Sequence, residues 1–145
     1  MKSSVFEPRE LGFPKDKREI YKHLTTDKAS PFYGKPLRDV FMSAFAIGYA
    51  NQTHKPFKNR APDIRFESVS QKEKWILISV AIKENKDISI LLDEKGQKSI
   101  WTTAEEYANG GIDLLHSLVF ESAYSGSASK KLETDVRQHL KKIKF

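Results

Sequence analysis

The chain has 145 residues, a length typical of one domain, and 39% of them are hydrophobic while 30% are charged. This composition is globular, and no run approaches the roughly 18–20 apolar residues of a membrane span. Cysteine is absent, which excludes disulfides, thiolate zinc sites and cysteine nucleophiles. Because no apolar segment follows the basic start of the chain, the sequence predicts a cytoplasmic protein without membrane contact.

Positive charge is concentrated towards the two ends of the chain. The net charge is +6, and residues 130–145 carry six Lys or Arg against two acids. A polyanion partner would meet these ends, and nucleic acid is the usual partner of a basic surface. A hydrated charged surface without a partner is the alternative.

The first predicted elements are an arm and a short helix. Residues 1–14 show no sustained period and contain Pro8 and Pro14, which predicts an N-terminal arm. Residues 15–24 have apolar side chains at helical spacing among many charges, which predicts an amphipathic helix.

The strongest helical pattern in the chain runs from residue 37 to residue 49. Its wide apolar stripe indicates a core helix, and Pro36 suits the first turn, where a missing N–H costs nothing. Ala44 and Gly48 leave a shallow strip where a second helix could approach. The Gly110-Gly111 pair is the candidate partner of that strip.

Residues 51–60 form a polar loop that combines cations with one aromatic ring. Phe57 stands between Lys55 and Lys58, and Arg60 follows. Grooves for single-stranded nucleic acid use this combination, because cations track the backbone while rings stack on bases. A phenylalanine that fixes the loop onto the core would give the same pattern.

A helix is predicted over residues 71–85, with less regular structure on both sides; a buried strand over the β-branched run from Trp75 to Ile82 is the alternative. Residues 64–66 and 88–100 are compatible with a short strand or hairpin, and the Asp93 to Gly96 run with a turn. Thr102 or Thr103 would cap the next helix through a capping box.

That next helix contains the segment Glu105 to Leu115, which composition alone does not explain. Two glycines lie in its middle, and each costs roughly 1 kcal/mol against alanine in a helix. A closely packed helix, a kink or a ligand would each require a bare backbone there. We expect close helix packing at Gly48, Gly110 and Gly111.

The same helix carries polar side chains at Glu105, Asn109, Asp113 and His116 on one face. Such a set could bind a hard cation or perform acid–base work, but a hydrated outer face looks the same and is favoured. The four histidines are isolated from one another in sequence, and phosphate-cradling glycine motifs are absent. The sequence therefore favours a binding or assembly protein over an enzyme and predicts no metal and no cofactor.

The C-terminal region reads as a linker over residues 123–128 followed by a basic amphipathic helix over residues 129–145. Its apolar stripe, predicted to dock on a partner, consists of Leu132, Val136, Leu140 and Ile143. Its cations, predicted to meet phosphate together with Lys55, Lys58 and Arg60, are Lys130, Lys131, Arg137, Lys141 and Lys142.

Several runs resemble a small accessory family encoded beside bacterial DNA phosphorothioation (dnd) systems. The runs are Lys15-Asp16-Lys17-Arg18-Glu19, Pro31-Phe32, Leu37-Arg38-Asp39-Val40-Phe41, Ala46-Ile47-Gly48-Tyr49, Lys55-Pro56 and Glu105-Glu106-Tyr107-Ala108-Asn109-Gly110-Gly111-Ile112. The resemblance covers residues 15–115, so the tail after Ser122 is expected to lie outside it. It implies a bacterial cytoplasmic setting, genome modification or antiviral defence, and large DNA-acting partners, without implying catalytic residues.

Together these patterns predict a mostly α, compact, single-domain bundle of about five helices, with the helical domain over residues 15–122. The predicted function is that of a non-catalytic accessory subunit that binds DNA or a larger DNA-processing subunit, as a monomer or a homo-oligomer. An adaptor that docks by its C-terminal helix without DNA contact is the alternative. A metal-dependent nuclease using Glu105, Asp113 and His116 is a third interpretation.

Overall fold

The computed structural model describes residues 7–121 together with residues 136, 137 and 140. Over this part of the chain the fold is mostly α, as predicted, with one two-stranded antiparallel sheet. The strands and helices are β1 (Glu10–Pro14), α1 (Arg18–Thr26), α2 (Leu37–Ala50), β2 (Arg60–Arg65), α3 (Gln71–Asn85) and α4 (Glu94–Glu121). Short 3-10 turns occupy Lys15–Lys17, Phe66–Ser68 and Ile88–Leu91.

Helix α4 is the longest element and packs along α2. Both helices place small residues at their crossing: a Cβ on Gly48 would lie 1.9 Å from the Tyr107 carbonyl oxygen, and one on Gly111 would lie 2.0 Å from that of Ala44. The backbones therefore approach too closely for any side chain at these two positions. Phe41 and Phe45 of α2 are fully buried in the core, and each contributes roughly 1.5–3 kcal/mol by burial.

The sheet corrects the prediction of an arm over residues 1–14. The last five of those residues form β1, which pairs with β2 in a register that places Leu11 opposite Ile64 and Phe13 opposite Ala61. Leu11 and Phe13 are fully buried. Because their apolar side chains have a partner strand about fifty residues away, no local period reveals it. The extended piece predicted at 64–66 belongs to β2, whose last residue is Arg65.

Local capping sets the helix boundaries. Helix α3 begins with a capping box in which Ser70 and Glu73 bond to each other's backbone N–H groups, and it spans the predicted residues. Helix α4 begins eight residues before Thr102, so the prediction of a cap at Thr102 or Thr103 is wrong. Instead, the Asp93 carboxylate accepts a hydrogen bond from the Gly96 N–H at 2.6 Å, which satisfies a first-turn donor. The prediction of a strand or hairpin near residues 88–100 is also wrong, because a 3-10 turn occupies Ile88–Leu91 and α4 begins at Glu94.

The predicted linker 123–128 lies outside the described residues, as does most of the predicted helix 129–145. Positions 136, 137 and 140 are helical. Val136 packs against the core, and Val136 and Leu140 line a small apolar cleft with Met42, Phe45 and Ile76 of α2 and α3. None of the described helices has a stretch that is both long and apolar enough to span a bilayer.

Candidate nucleic-acid interface

Polar side chains and glycines in residues 105–111 hold other segments of the chain against α4, beginning with Glu105. This carboxylate is buried and accepts hydrogen bonds from the Gly12 N–H at 2.8 Å and from the Arg60 guanidinium at 2.8 and 3.0 Å. Arg60 also donates to the Glu10 carbonyl. The pair thus ties both strands of the sheet to α4. Arg60, predicted to meet phosphate, has its charge committed to Glu105.

The loop between α2 and β2 lies directly on α4. The Asn109 side-chain N–H donates to the Lys55 carbonyl at 2.9 Å, and the Lys55 N–H donates to the Glu106 carbonyl at 3.2 Å. A Cβ on Gly110 would lie 1.7 Å from the Thr53 carbonyl oxygen. Of the two adjacent glycines, Gly111 therefore faces α2 while Gly110 faces this loop.

One cavity, here called the basic cavity, forms where this loop meets the start of α1. It has a volume of about 550 Å³. Its lining residues are Pro14, Lys15, Asp16, Lys17, Pro56, Phe57, Lys58, Asn59 and Asn109. The Lys15 N–H donates to the Asn59 carbonyl at 2.9 Å, so the loop and the β1–α1 junction are joined across it. Phe57 is half-buried in this wall.

Some of the lysines around the basic cavity form ion pairs and others do not. Lys17 is paired with Asp113 at 3.0 Å. Lys15, Lys55 and Lys58 are exposed, and within the described part of the chain none of them forms an ion pair. Asp16 is the one acid in the lining. Two uncommitted cations, Lys15 and Lys58, and the Phe57 ring therefore line the cavity, and Lys55 lies on the same loop.

Part of the polar face of α4 is covered, so the prediction of a hydrated outer face is wrong for Glu105 and Asn109, which are 7% and 8% exposed. Helical periodicity identifies side chains on one face, but it does not identify what packs on that face. Asp113 and His116 are each paired with α1 or the turn before it. The three residues of the nuclease interpretation thus have three separate partners.

Two of the histidines that are isolated in sequence, His23 and His116, lie side by side in the structure. His23 Nδ1 lies 3.0 Å from His116 Nε2, and His23 Nε2 lies 3.0 Å from an Asp27 carboxylate oxygen. Phe120 stacks on the His23 ring. Burial, with a smaller effect of His23, lowers the pKa of His116. Among the described residues, no group of three or more histidine or carboxylate side chains is placed to hold a metal ion.

The structure brings together some of the predicted phosphate contacts and separates others. Lys55 and Lys58 lie on the same loop beside Phe57, whereas Arg60 is turned to Glu105. Arg137 is exposed, and Lys130, Lys131, Lys141 and Lys142 lie outside the described residues, as do Leu132 and Ile143. From the sequence, Lys15 is one of the cations of the predicted helix over residues 15–24 that could touch phosphate, but nothing in the local pattern connects it with the loop that carries Phe57.

The chain matches the family described as DNA sulphur modification system-associated protein 4 over residues 11–142. No curated protein and no solved structure matched the chain. The matched region includes most of the tail, so the expectation that the tail after Ser122 lies outside the resemblance is wrong. The resemblance to an accessory family of DNA phosphorothioation systems is confirmed. Since the match spans nearly the whole chain, the protein belongs to the family of DNA sulphur modification system-associated protein 4.

Proposed function

We propose that the protein is a non-catalytic accessory subunit of a bacterial DNA-modification or defence system and that it binds DNA through the basic cavity. The observation that carries this proposal is the placement of Phe57 between uncommitted lysines on a loop fixed to α4. Family membership associates the chain with a DNA sulphur modification system. DNA is the polyanion that such a system handles.

The cations and the ring would have different roles. Lys15, Lys55 and Lys58 would contact phosphates, which supplies affinity without sequence information. Phe57 would offer one face to a base that is unpaired or extruded, and such stacking is worth roughly 1–3 kcal/mol per base. Because the loop is bonded to α4 through Asn109, little conformational entropy is lost on binding.

The proposal predicts how strongly DNA affinity depends on salt concentration. Each neutralised phosphate releases counterions, so three lysine contacts predict a slope of log affinity against log salt near −2 for a single strand and about −2.7 for a duplex. A basic C-terminal segment that also touches DNA would make the slope steeper. A slope near zero would rule out phosphate contacts.

The test is fluorescence anisotropy with labelled single-stranded and duplex oligonucleotides at two salt concentrations. We expect Lys15→Glu/Lys58→Glu to weaken binding at least tenfold and to flatten the salt slope. The matched control is Lys72→Glu/Lys95→Glu, which makes the same charge change at exposed positions on α3 and α4 that do not line the basic cavity. Equal losses in both variants would refute the proposed surface, and no binding of wild-type protein at low salt would refute DNA binding.

A protein-docking role for the C-terminal helix is the second candidate. Leu140 remains 44% exposed although Val136 packs against the core, so part of the apolar stripe is open to a larger subunit. Deletion of residues 129–145 should then abolish co-purification with subunits of the modification system at high salt. If the deletion leaves that complex intact, the docking role is wrong.

A further inference from the structure

A second cavity lies on the other side of the same loop and uses none of the residues of the basic cavity. It has a volume of about 590 Å³, within the range of sites that hold small ligands. We call it the tyrosine cavity, and its principal lining residues are Tyr49, Gln52, His54, Lys83, Lys86 and Tyr107, with Glu84 at the C-terminal end of α3.

Three rings meet in its wall. The Tyr107 ring packs edge-on against Tyr49 at 5.3 Å and against His54 at 4.9 Å between ring centroids. Tyr107 is buried, while Tyr49 is half-buried and His54 is exposed. The two outer rings therefore present surface to the cavity, and such surface stacks well on planar heteroaromatic rings.

The polar groups of the wall are fixed by carboxylates. His54 Nε2 lies 2.8 Å from a Glu106 carboxylate oxygen, so that nitrogen carries the proton and the ring orientation is set. Burial, with a smaller effect of the Glu84 carboxylate, raises the pKa of Tyr107. Glu84 itself lines the cavity and is exposed, so its carboxylate can accept a hydrogen bond from a ligand N–H.

Two cations complete the lining. Lys83 and Lys86 are exposed, and neither forms an ion pair among residues 7–121. Because its lining holds both aromatic rings and two ammonium groups, the cavity combines stacking with anion binding.

Backbone conformation points to the same place. Gln52 and Lys86, each with a φ of 54°, both line the tyrosine cavity, and Asn59, with a φ of 55°, lines the basic cavity. In the described chain these are the only non-glycine residues with positive φ. Glycine is the usual residue at the helix end that Lys86 occupies, and such strained positions cluster at functional sites.

We infer that the tyrosine cavity binds a nucleoside monophosphate, either free or as the 5′-phosphorylated end of a DNA strand. The base lies against Tyr49 and His54, and its phosphate lies at Lys83 and Lys86. Bases with an exocyclic amine donate to Glu84, which thymine cannot match with the same group. This site is separate from the proposed DNA surface and does not depend on it.

The experiment is calorimetric titration of the full chain with dGMP, deoxyguanosine and inorganic phosphate. We expect saturable one-to-one binding of dGMP, with each of the two partial ligands at least tenfold weaker. Lys83→Gln/Lys86→Gln should weaken dGMP binding at least tenfold, and Tyr49→Leu should do so while leaving phosphate binding unchanged. Lys72→Gln/Lys95→Gln is the matched control, and circular dichroism checks that each variant folds.

Two further arms locate the site and its source of ligand. Lys15→Glu/Lys58→Glu should retain dGMP affinity even though it loses DNA affinity at the basic cavity. A 5′-phosphorylated oligonucleotide that competes with dGMP, when its 5′-hydroxyl counterpart does not, would identify a strand end as the ligand. Competition by neither oligonucleotide would identify the free mononucleotide.

The inference is overturned if dGMP shows no saturable binding at millimolar concentration. It is also overturned if phosphate binds as well as dGMP, or if the control variant loses as much affinity as the variant of the cavity.

Discussion

Replacing Gly48 with alanine tests whether the α2–α4 crossing determines the stability of this fold. The added methyl carbon would lie 1.9 Å from the Tyr107 carbonyl oxygen and 3.1 Å from the Gly111 nitrogen, whereas ordinary contact begins at 3.4 Å. Neither atom belongs to a flexible side chain. The two helices must therefore move apart, which disturbs packing along the core.

The sign of the effect follows from two opposing terms. Alanine gains up to about 1 kcal/mol of helix propensity over glycine, while overpacking a core costs typically 1–3 kcal/mol and more when backbone must move. We expect a net loss of about 2 kcal/mol. With a urea slope of roughly 2 kcal/mol per molar for a chain of this size, the midpoint should fall by about 1 M.

Urea unfolding followed by tryptophan fluorescence measures this loss. Thr102→Ala is the control, since Thr102 is exposed on α4 away from the crossing and its replacement should change the free energy of unfolding by less than about 0.5 kcal/mol. A Gly48→Ala midpoint equal to or above that of the wild type, with an unchanged slope, would show that close helix approach does not require this glycine.

Three further substitutions test other contacts. Arg60→Ala leaves a buried carboxylate without its cation and should cost about 2–3 kcal/mol in urea unfolding, while DNA affinity measured by anisotropy at low salt should change less than twofold; a loss as large as that of Lys15→Glu/Lys58→Glu would restore Arg60 as a phosphate contact. Burial and His23 lower the pKa of His116 in the folded protein below 6.5. The unfolded chain therefore binds more protons as the pH falls, so this histidine leaves the folded state at full stability above about pH 6.5 and destabilises it below that pH. His116→Gln should make the urea midpoint less dependent on pH between about pH 7 and pH 5, and an unchanged pH profile would contradict the assignment. Asp93→Ala should cost about 1 kcal/mol as a lost N-cap, measured by urea unfolding against the Thr102→Ala control, and equal effects would place the helix start elsewhere.

The elements that could be predicted from the sequence are those that depend on residues close together in the chain. Helix α2 was predictable because its apolar residues recur at helical spacing, and α3 was predictable because charged residues on both sides of its apolar run extend the segment past strand length. The sheet was not, since β1 and β2 pair residues about fifty positions apart and β2 contains Pro62, which breaks a strand pattern. The start of α4 was misplaced because Asp93 and Gly96 are also a turn signal.

The candidate site was predictable only in part, because its residues come from segments that are far apart in the sequence. The interleaving of Phe57 with lysines is visible in sequence, but Lys15 joins them only after folding. Likewise, His23 and His116 are 93 positions apart, and nothing in the local sequence pairs them. Helical spacing correctly gathered Glu105 and Asn109 on one face, while the segments covering that face come from elsewhere in the chain.

The hydrogen bond between Asn109 and the loop allows the effect of positioning the loop on DNA binding to be distinguished from the effect of its positive charges. If the loop must be held on α4 to align Phe57 and the lysines, then Asn109→Ala should weaken DNA binding by about three- to tenfold without removing any cation. The salt slope should therefore stay unchanged, since that slope counts phosphate contacts rather than their alignment. Loss of one hydrogen bond should cost only about 1 kcal/mol in urea unfolding.

Asn51→Ala is the matched control, because Asn51 makes the same kind of bond to a backbone carbonyl, that of Ile47 at the end of α2, and does not line the basic cavity. We expect a similar loss of stability with unchanged DNA affinity. Anisotropy at two salt concentrations distinguishes the outcomes: a flatter slope for Asn109→Ala would mean that a phosphate contact was lost, and equal affinity for both variants would mean that the loop needs no anchoring on α4 to bind DNA.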